Sequence, residues 1–120
     1  MSAQVLEMPA SGDRILIVRP CWLNLILSGA KTMEIRGSPL RSGKYYLGYK
    51  KQVFAMAQMG TPLRITSEEH WAALRLRHHV VSKSLPYKRT YGMPILSVRA
   101  LSPISFHHPR GAISIVKFRP

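Results

Sequence analysis

Arg19-Pro-Cys-Trp-Leu-Asn-Leu-Ile-Leu-Ser-Gly-Ala-Lys-Thr-Met-Glu-Ile-Arg36 is the stretch whose reading decides the fold of this chain. Pro20 suits the first turn of a helix, where the amide it lacks has no intrahelical partner. Trp22, Leu23, Ile26 and Leu27 follow at helical spacing, and Gly29 is a natural C-terminal stop. A helix of about two and a half turns is too short to stand without tertiary support. Beyond Gly29 the period changes. Met33 and Ile35 point one way, and Thr32, Glu34 and Arg36 the other, as in a half-buried strand. Upstream, Arg14-Ile-Leu-Ile-Val-Arg19 is a short, β-branched apolar run bounded by charge, predicting a buried strand that ends before Pro20.

Downstream, Gly37-Ser-Pro-Leu-Arg-Ser-Gly43 carries turn chemistry. Lys44 to Lys50 reads as a strand with Tyr45, Leu47 and Tyr49 on one face and Tyr46 on the other. Val53 to Met59 is a further apolar strand, closed by Gly60-Thr-Pro62. Thr66 or Ser67 can cap a second short helix through His70, Trp71 and Leu74, with Glu68 and Glu69 at its positive end. Arg75 to Arg89 reads as an irregular, basic surface loop. Pro94 to Leu101 and Ala112 to Phe118 complete the set as two more strands. Five or six short strands with two short helices predict a β-rich α+β fold, a small barrel decorated by helices.

The chain has 120 residues, room for one domain, and its 46% hydrophobic content suits a globular one. Residues 13–120 are expected to form that domain and residues 1–12 a flexible leader. The leader carries Glu7 and no basic residue, unlike a secretory signal. No apolar run approaches the ~20 residues of a membrane span. The single cysteine, Cys21, excludes an intrachain disulfide and points to a reducing, cytoplasmic setting. Flanked by apolar neighbours, it is expected to be a buried thiol. Eighteen Lys and Arg against five Asp and Glu give a formal charge of +13. An excess of that size repels itself in a folded domain and suits a polyanionic partner, most commonly nucleic acid.

With the strand, the Trp-bearing helix and the alternating strand in place, the chain resembles the ASCH family. The family signature G-x-K-x-x-E-x-R is met by Gly29, Lys31, Glu34 and Arg36. Leu85-Pro-Tyr-Lys-Arg-Thr-Tyr91 and His108-Pro-Arg-Gly111 also look like the later part of ASCH chains, so the resemblance covers roughly residues 14 to 118. It implies a PUA-like β-barrel with the signature lining a cleft beside the first helix. It further implies association with RNA, and in some members an enzymatic activity on RNA or modified nucleosides.

The residues themselves support a binding site. Glu34 and Arg36 share a strand face, and Lys31 at the strand entrance can approach the same space. Two cations and one carboxylate suit a phosphate or other anion, while Glu34 can accept from an exocyclic amine of a base. Trp22, Thr32, His108 and Arg110 are placed with them, together with Tyr87, Lys88 and Arg89, where a ring set among cations can stack on an unpaired base. The plainer alternative is a Glu34–Arg36 pair that only pins one strand to its neighbour. As an enzyme, the chain would use Lys31 and Glu34, Lys31 acting as a base if burial lowers its pKa. In the ASCH branch associated with deacetylating N4-acetylcytidine, a threonine nucleophile takes the place of Glu34, and Thr32 belongs to the preceding Lys-Thr pair. Ribonuclease chemistry and a role as a small basic subunit of a ribonucleoprotein are further alternatives. The adjacent pairs His78-His79 and His107-His108 lack the spacing of helical zinc ligands, so neither a metal nor a cofactor is expected. His70 or His108 is expected at the cleft margin. RNA or a nucleotide is the expected partner, and the sequence names no protein partner.

Overall fold

A computed structural model describes residues 8–112 and 114–120. The chain runs β1 (Arg14–Ile17), α1 (Pro20–Leu27), β2 (Met33–Arg36), β3 (Gly43–Tyr49), β4 (Gln52–Met59), β5 (Leu63–Ile65), α2 (Glu68–Ala73), α3 (Arg75–His78), β6 (Thr90–Ser105) and β7 (Ile115–Lys117). The strands form one curled sheet in the order β2-β6-β4-β3-β1-β7, with β5 joined to β6 off that path. This is the expected β-rich α+β architecture. The expectation of five or six strands and two helices omitted the three-residue β5 and the four-residue α3.

The deciding stretch folds as its pattern requires. β1 pairs parallel with β3, so the chain must cross over between them, and α1 with β2 is that crossover. Pro20 opens α1, which turns Leu23 and Ile26 into the core. Gly29 adopts φ +85°, and its amide bonds to Ile26 O, which stops the helix. The backbone then folds back, Lys31 N donating to Leu25 O, and enters β2. The same helix geometry leaves Cys21 on the outer face, so the expected buried thiol is exposed.

β6 does the work of two strands. Its first part, Thr90 to Pro94, lies between β2 and β5, whereas Ile95 to Ser105 pairs with β4. The switch falls at Pro94, whose missing N–H removes one ladder bond, and the register against β4 shifts beside it, between Gln58 and Met59. Pro94 and Pro103 had made the strand look shorter than it is. The hollow of the sheet is filled by Leu16, Val18, Leu23, Ile26, Tyr45, Leu47 and Met93 among others. A second cluster, around Ile15, Tyr46, Val53, Phe106, Val116 and Phe118, covers the opposite face.

The stretch expected to be an irregular surface loop is partly neither. Trp71 is buried, and His78 stacks on its ring at 3.8 Å and 14°. That contact folds Arg75–His78 into a helical turn, which His79 closes in the left-handed region at φ +60°. Val80 and Leu85 pack on the cluster of Met33, Ile35, Ile65 and Trp71, and the rest of the segment to Arg89 is irregular. Of the expected leader, residues 1–7 lie outside the described residues, while Pro9 is buried and Gly12 N donates to Phe118 O. Ile113, inside the last expected strand, also lies outside them. No helix among the described residues is long and apolar enough to cross a membrane.

Candidate nucleotide-binding cleft

Where β1 ends and α1 begins, the crossover leaves a cleft of roughly 480 Å³, within the ~300–1,000 Å³ range of small-ligand sites. β1 and the start of α1 contribute Ile17, Arg19 and Trp22, and the β2 approach contributes Lys31, Glu34 and Arg36. Tyr49 at the end of β3 also lines it, and Val80 and Tyr87 come from the segment after α3.

Lys31 is 2% exposed, an unusual place for an ammonium. Its Nζ donates to His78 O, lies 3.8 Å from Glu34 Oε1 and sits 4.6 Å from the centre of the Trp22 ring. Burial pushes the Lys31 pKa down; Glu34 opposes that shift, Arg36 adds to it, and Cys21 opposes it more weakly. Arg36 donates through Nε at 2.8 Å to Glu34 Oε2, and its Nη2 lies 2.7 Å from the same oxygen. Nη2 also donates to Ile17 O at 2.8 Å, tying β2 to the end of β1. Glu34 Oε2 therefore takes both Arg36 contacts, whereas among the described residues Oε1 has only the distant Lys31. Counting Arg19, three cations and one carboxylate line the cleft, so its field favours an anion.

His78, whose carbonyl accepts from Lys31, is itself fixed on both ring nitrogens. Its Nε2 lies 3.0 Å from Trp71 O, and Val80 N donates to Nδ1 at 2.9 Å. Nδ1 must then be bare and Nε2 protonated, which is the neutral tautomer. Burial lowers the His78 pKa, the bond to Trp71 O opposes this, and Lys31, Arg75 and His79 add to the lowering.

Among the residues singled out in the sequence, Trp22, Lys31, Glu34, Arg36 and Tyr87 line the cleft. Thr32 does not: its backbone bonds to Arg77 O and Ile95 N, and its side chain is outside the lining. Lys88 and Arg89 are exposed beside Tyr87 but outside the lining. His108 stacks on Phe106 at 5.7 Å with Nε2 2.6 Å from Ala112 O, and Arg110 is exposed in the following turn; Ala112 itself is at the cleft edge. His70 is exposed on α2, away from the lining. Sequence reasoning passed over Arg19, Tyr49 and Val80. Arg19 had a signal, since a cation directly before the helix-opening Pro20 must sit at the strand–helix junction. Val80 had none, because only the His78 contact brings it to the wall. Among the described residues no three His, Cys, Asp or Glu side chains converge on a common point that could hold a metal ion.

A curled sheet crossed over by a Pro-opened helix, with a basic cleft at the crossover, is a β-rich α+β domain of the architecture expected for a PUA-like fold. No protein-family model and no curated protein sequence matches the chain. Solved structures of ASCH from Zymomonas mobilis do match it in fold. A serine-to-alanine mutant of that protein superposes with a TM-score of 0.70 at 15% identity, over 93% of this chain and 92% of that one. A second structure, described as ASCH, gives 0.70 at 16% identity over 90% and 88%. A tyrosine-to-phenylalanine mutant gives 0.68 at 16% over 90% and 91%. The chain has the ASCH fold.

Proposed function

We propose that this chain binds RNA or a nucleotide, with a nucleotide unit in the cleft of Lys31, Glu34 and Arg36. The observation that carries the reading is the convergence of three cations and one half-committed carboxylate in one cleft that the rings of Trp22 and Tyr87 also line. Arg19 and Arg36 suit a phosphate, Glu34 Oε1 suits an amine on a base edge, and the rings suit its faces. A chain of net charge +13 supplies the long-range attraction.

Binding of a labelled single-stranded RNA, followed by fluorescence anisotropy across a salt series, tests this. Affinity is expected to fall steeply with salt. Arg19→Ala and Tyr87→Ala, both at exposed positions, are expected to weaken binding at unchanged thermal stability. Affinity indifferent to salt and to both substitutions would overturn the proposal.

One observation favours a second reading. Lys31 is buried with Nζ 3.8 Å from Glu34 Oε1, and burial lowers its pKa. In its neutral form a lysine there would take a proton from water, which suits hydrolysis of an acylated base amine. The water oxygen would bond to the acyl carbon, the C–N bond would break, and the proton would pass to the departing amine. With Thr32 outside the lining, water is the available nucleophile. Release of acetate from N4-acetylcytidine, lost in Lys31→Met, is the expected result; no release by the unaltered protein rejects this reading and leaves the binding one intact.

A further inference from the structure

The β3–β4 hairpin turns through two residues, Lys50 and Lys51, between the paired residues Tyr49 and Gln52. Both have positive φ, +47° and +67°. Two consecutive left-handed residues make a type I′ turn, whose usual occupants are Asn-Gly, Asp-Gly or Gly-Gly, because a side chain at positive φ crowds the backbone. Two lysines there contradict the preference of their own turn. Such local conflicts gather where a residue is kept for something other than folding.

The surroundings show what the lysines can do. Tyr49 lines the cleft, and Lys50 Nζ lies 5.8 Å from the centre of its ring, so this cation sits over the cleft's own wall. Lys51 O accepts from Phe106 N at 2.9 Å, which buttresses the tip against the end of β6. Phe106 carries the stacked His108, whose ring reaches the O of Ala112, a lining residue, and Arg110 is exposed in the turn between them. The hairpin tip thus stands next to the lining residue Tyr49 in the chain, with Lys50 over its ring, and is buttressed by the end of β6. Among the described residues no ion pair engages Lys50, Lys51 or Arg110. Asp13 pairs with Lys44 at the other end of β3, roughly 20 Å away at the usual rise of a strand, and Glu68 and Glu69 are on α2.

We infer that the Lys50–Lys51 tip holds backbone phosphates of a single-stranded RNA as it leaves the cleft, so that the ligand is a polymer rather than a free nucleotide. The inference rests on the RNA reading given above and extends it. Continuity with a ring-lined cleft favours a nucleic acid over an anionic membrane, since the tip presents no apolar residue to insert.

The test replaces the tip with the residues its turn prefers, Lys50→Asn with Lys51→Gly, in the full chain. The double variant is expected to keep its Tm or gain up to about 5 °C, because the strain is relieved. Against a labelled single-stranded RNA, the slope of log K on log salt is expected to become shallower by about 1.4, two phosphates at ~0.7 each. Between roughly 50 and 200 mM salt, the unaltered protein then loses about sevenfold more affinity than the variant. Affinity for the corresponding mononucleotide is expected to stay within about twofold, as it spans too little to reach the tip. An unchanged RNA slope overturns the assignment while leaving cleft binding standing, and loss of binding only to phosphatidylserine vesicles overturns it in favour of a membrane. A lowered Tm removes the strain argument and the assignment with it. Absence of RNA binding by the unaltered protein overturns both readings together.

Discussion

Glu34→Gln is the most informative single change, because it removes one charge from a group of three, two of them buried and Arg36 part-buried, without changing its shape. Glu34 is 5% exposed, with Arg36 Nη2 at 2.7 Å and Lys31 Nζ at 3.8 Å. At an effective dielectric near 20, an attraction across 3.8 Å amounts to roughly 4 kcal/mol before desolvation. Removing one partner of a buried ion pair typically costs ~3–5 kcal/mol, because the other charge is stranded. Glutamine still offers an oxygen to Arg36, so the loss should sit near the lower end, about 3 kcal/mol at neutral pH. For a chain of this length that lowers Tm by roughly 10 °C. The deficit should also depend on pH, with a sign set by Lys31. Its folded pKa already lies below 10.5 through burial, and losing the opposing Glu34 charge lowers it further. Between that folded value and 10.5 the unfolded chain binds more protons, so stability rises with pH through the window. The rise should be larger in the variant, and the gap between the two proteins should narrow from neutral to alkaline pH. Urea unfolding followed by tryptophan fluorescence measures both quantities. A deficit below about 1 kcal/mol at neutral pH, or one that stays constant as pH rises, would refute the view that these three charges depend on one another.

His78 predicts an acid-side effect of its own. Its folded pKa is held below 6.5, so as pH falls through about 6.5 the unfolded chain takes up a proton first and stability drops, by at most ~1.4 kcal/mol per pH unit, until the folded value is reached; His78→Gln should flatten that slope in urea midpoints. At Gly48 an added Cβ would lie 2.9 Å from Ile15 Cγ2 and 3.0 Å from Gln52 O, so Gly48→Ala should destabilise the sheet by about 1–3 kcal/mol, visible as a lowered Tm. Gly37→Ala differs: its Cβ would meet the Tyr87 ring at 3.0 Å, and that residue is 47% exposed and free to move. Stability should change by less than about 0.5 kcal/mol, while RNA affinity falls several-fold as the ring leaves the cleft; unchanged affinity would remove Tyr87 from the binding surface.

Much of the architecture was legible because it rests on local signals. Pro20, the spacing of Leu23 and Ile26, and Gly29 each act within a turn of the chain, and the structure uses all three as the pattern requires. Lys31, Glu34 and Arg36 were legible for a related reason, since two lie on one strand and the third stands at its entrance. What escaped depends on contacts distant in sequence. α3 exists because His78 stacks on Trp71, and neither residue announces the other. β5 is three residues long and is defined by pairing with β6, beyond the reach of periodicity. β6 runs through two prolines because it changes partners at the first of them, a property of the curled sheet rather than of the strand. Cys21 was misplaced for a simpler reason. Its apolar neighbours suggested burial, but on a helix residues two apart diverge by about 200°, so Leu23 faces the core and Cys21 does not.

The same geometry bears on why the cleft carries charge at all. A pair that only pinned β2 to its neighbours would be served as well or better by packed apolar residues, since buried ion pairs are commonly neutral or unfavourable against such replacements. Here the cations do more than pair. Lys31 is anchored on His78 O and Arg36 on Ile17 O, so two backbone segments hold them in place before any ligand arrives. A ligand then meets cations already ordered and need not supply the entropy of ordering them. Glu34 is held by Arg36 through one oxygen only, and among the described residues the other oxygen has Lys31 as its charged neighbour and no hydrogen-bond donor. A strand-pinning carboxylate has no need of a spare acceptor inside a cleft, and a group that reads a base edge does. The anchoring bonds hold the arrangement in place, and the spare oxygen is what the proposed nucleotide binding would use.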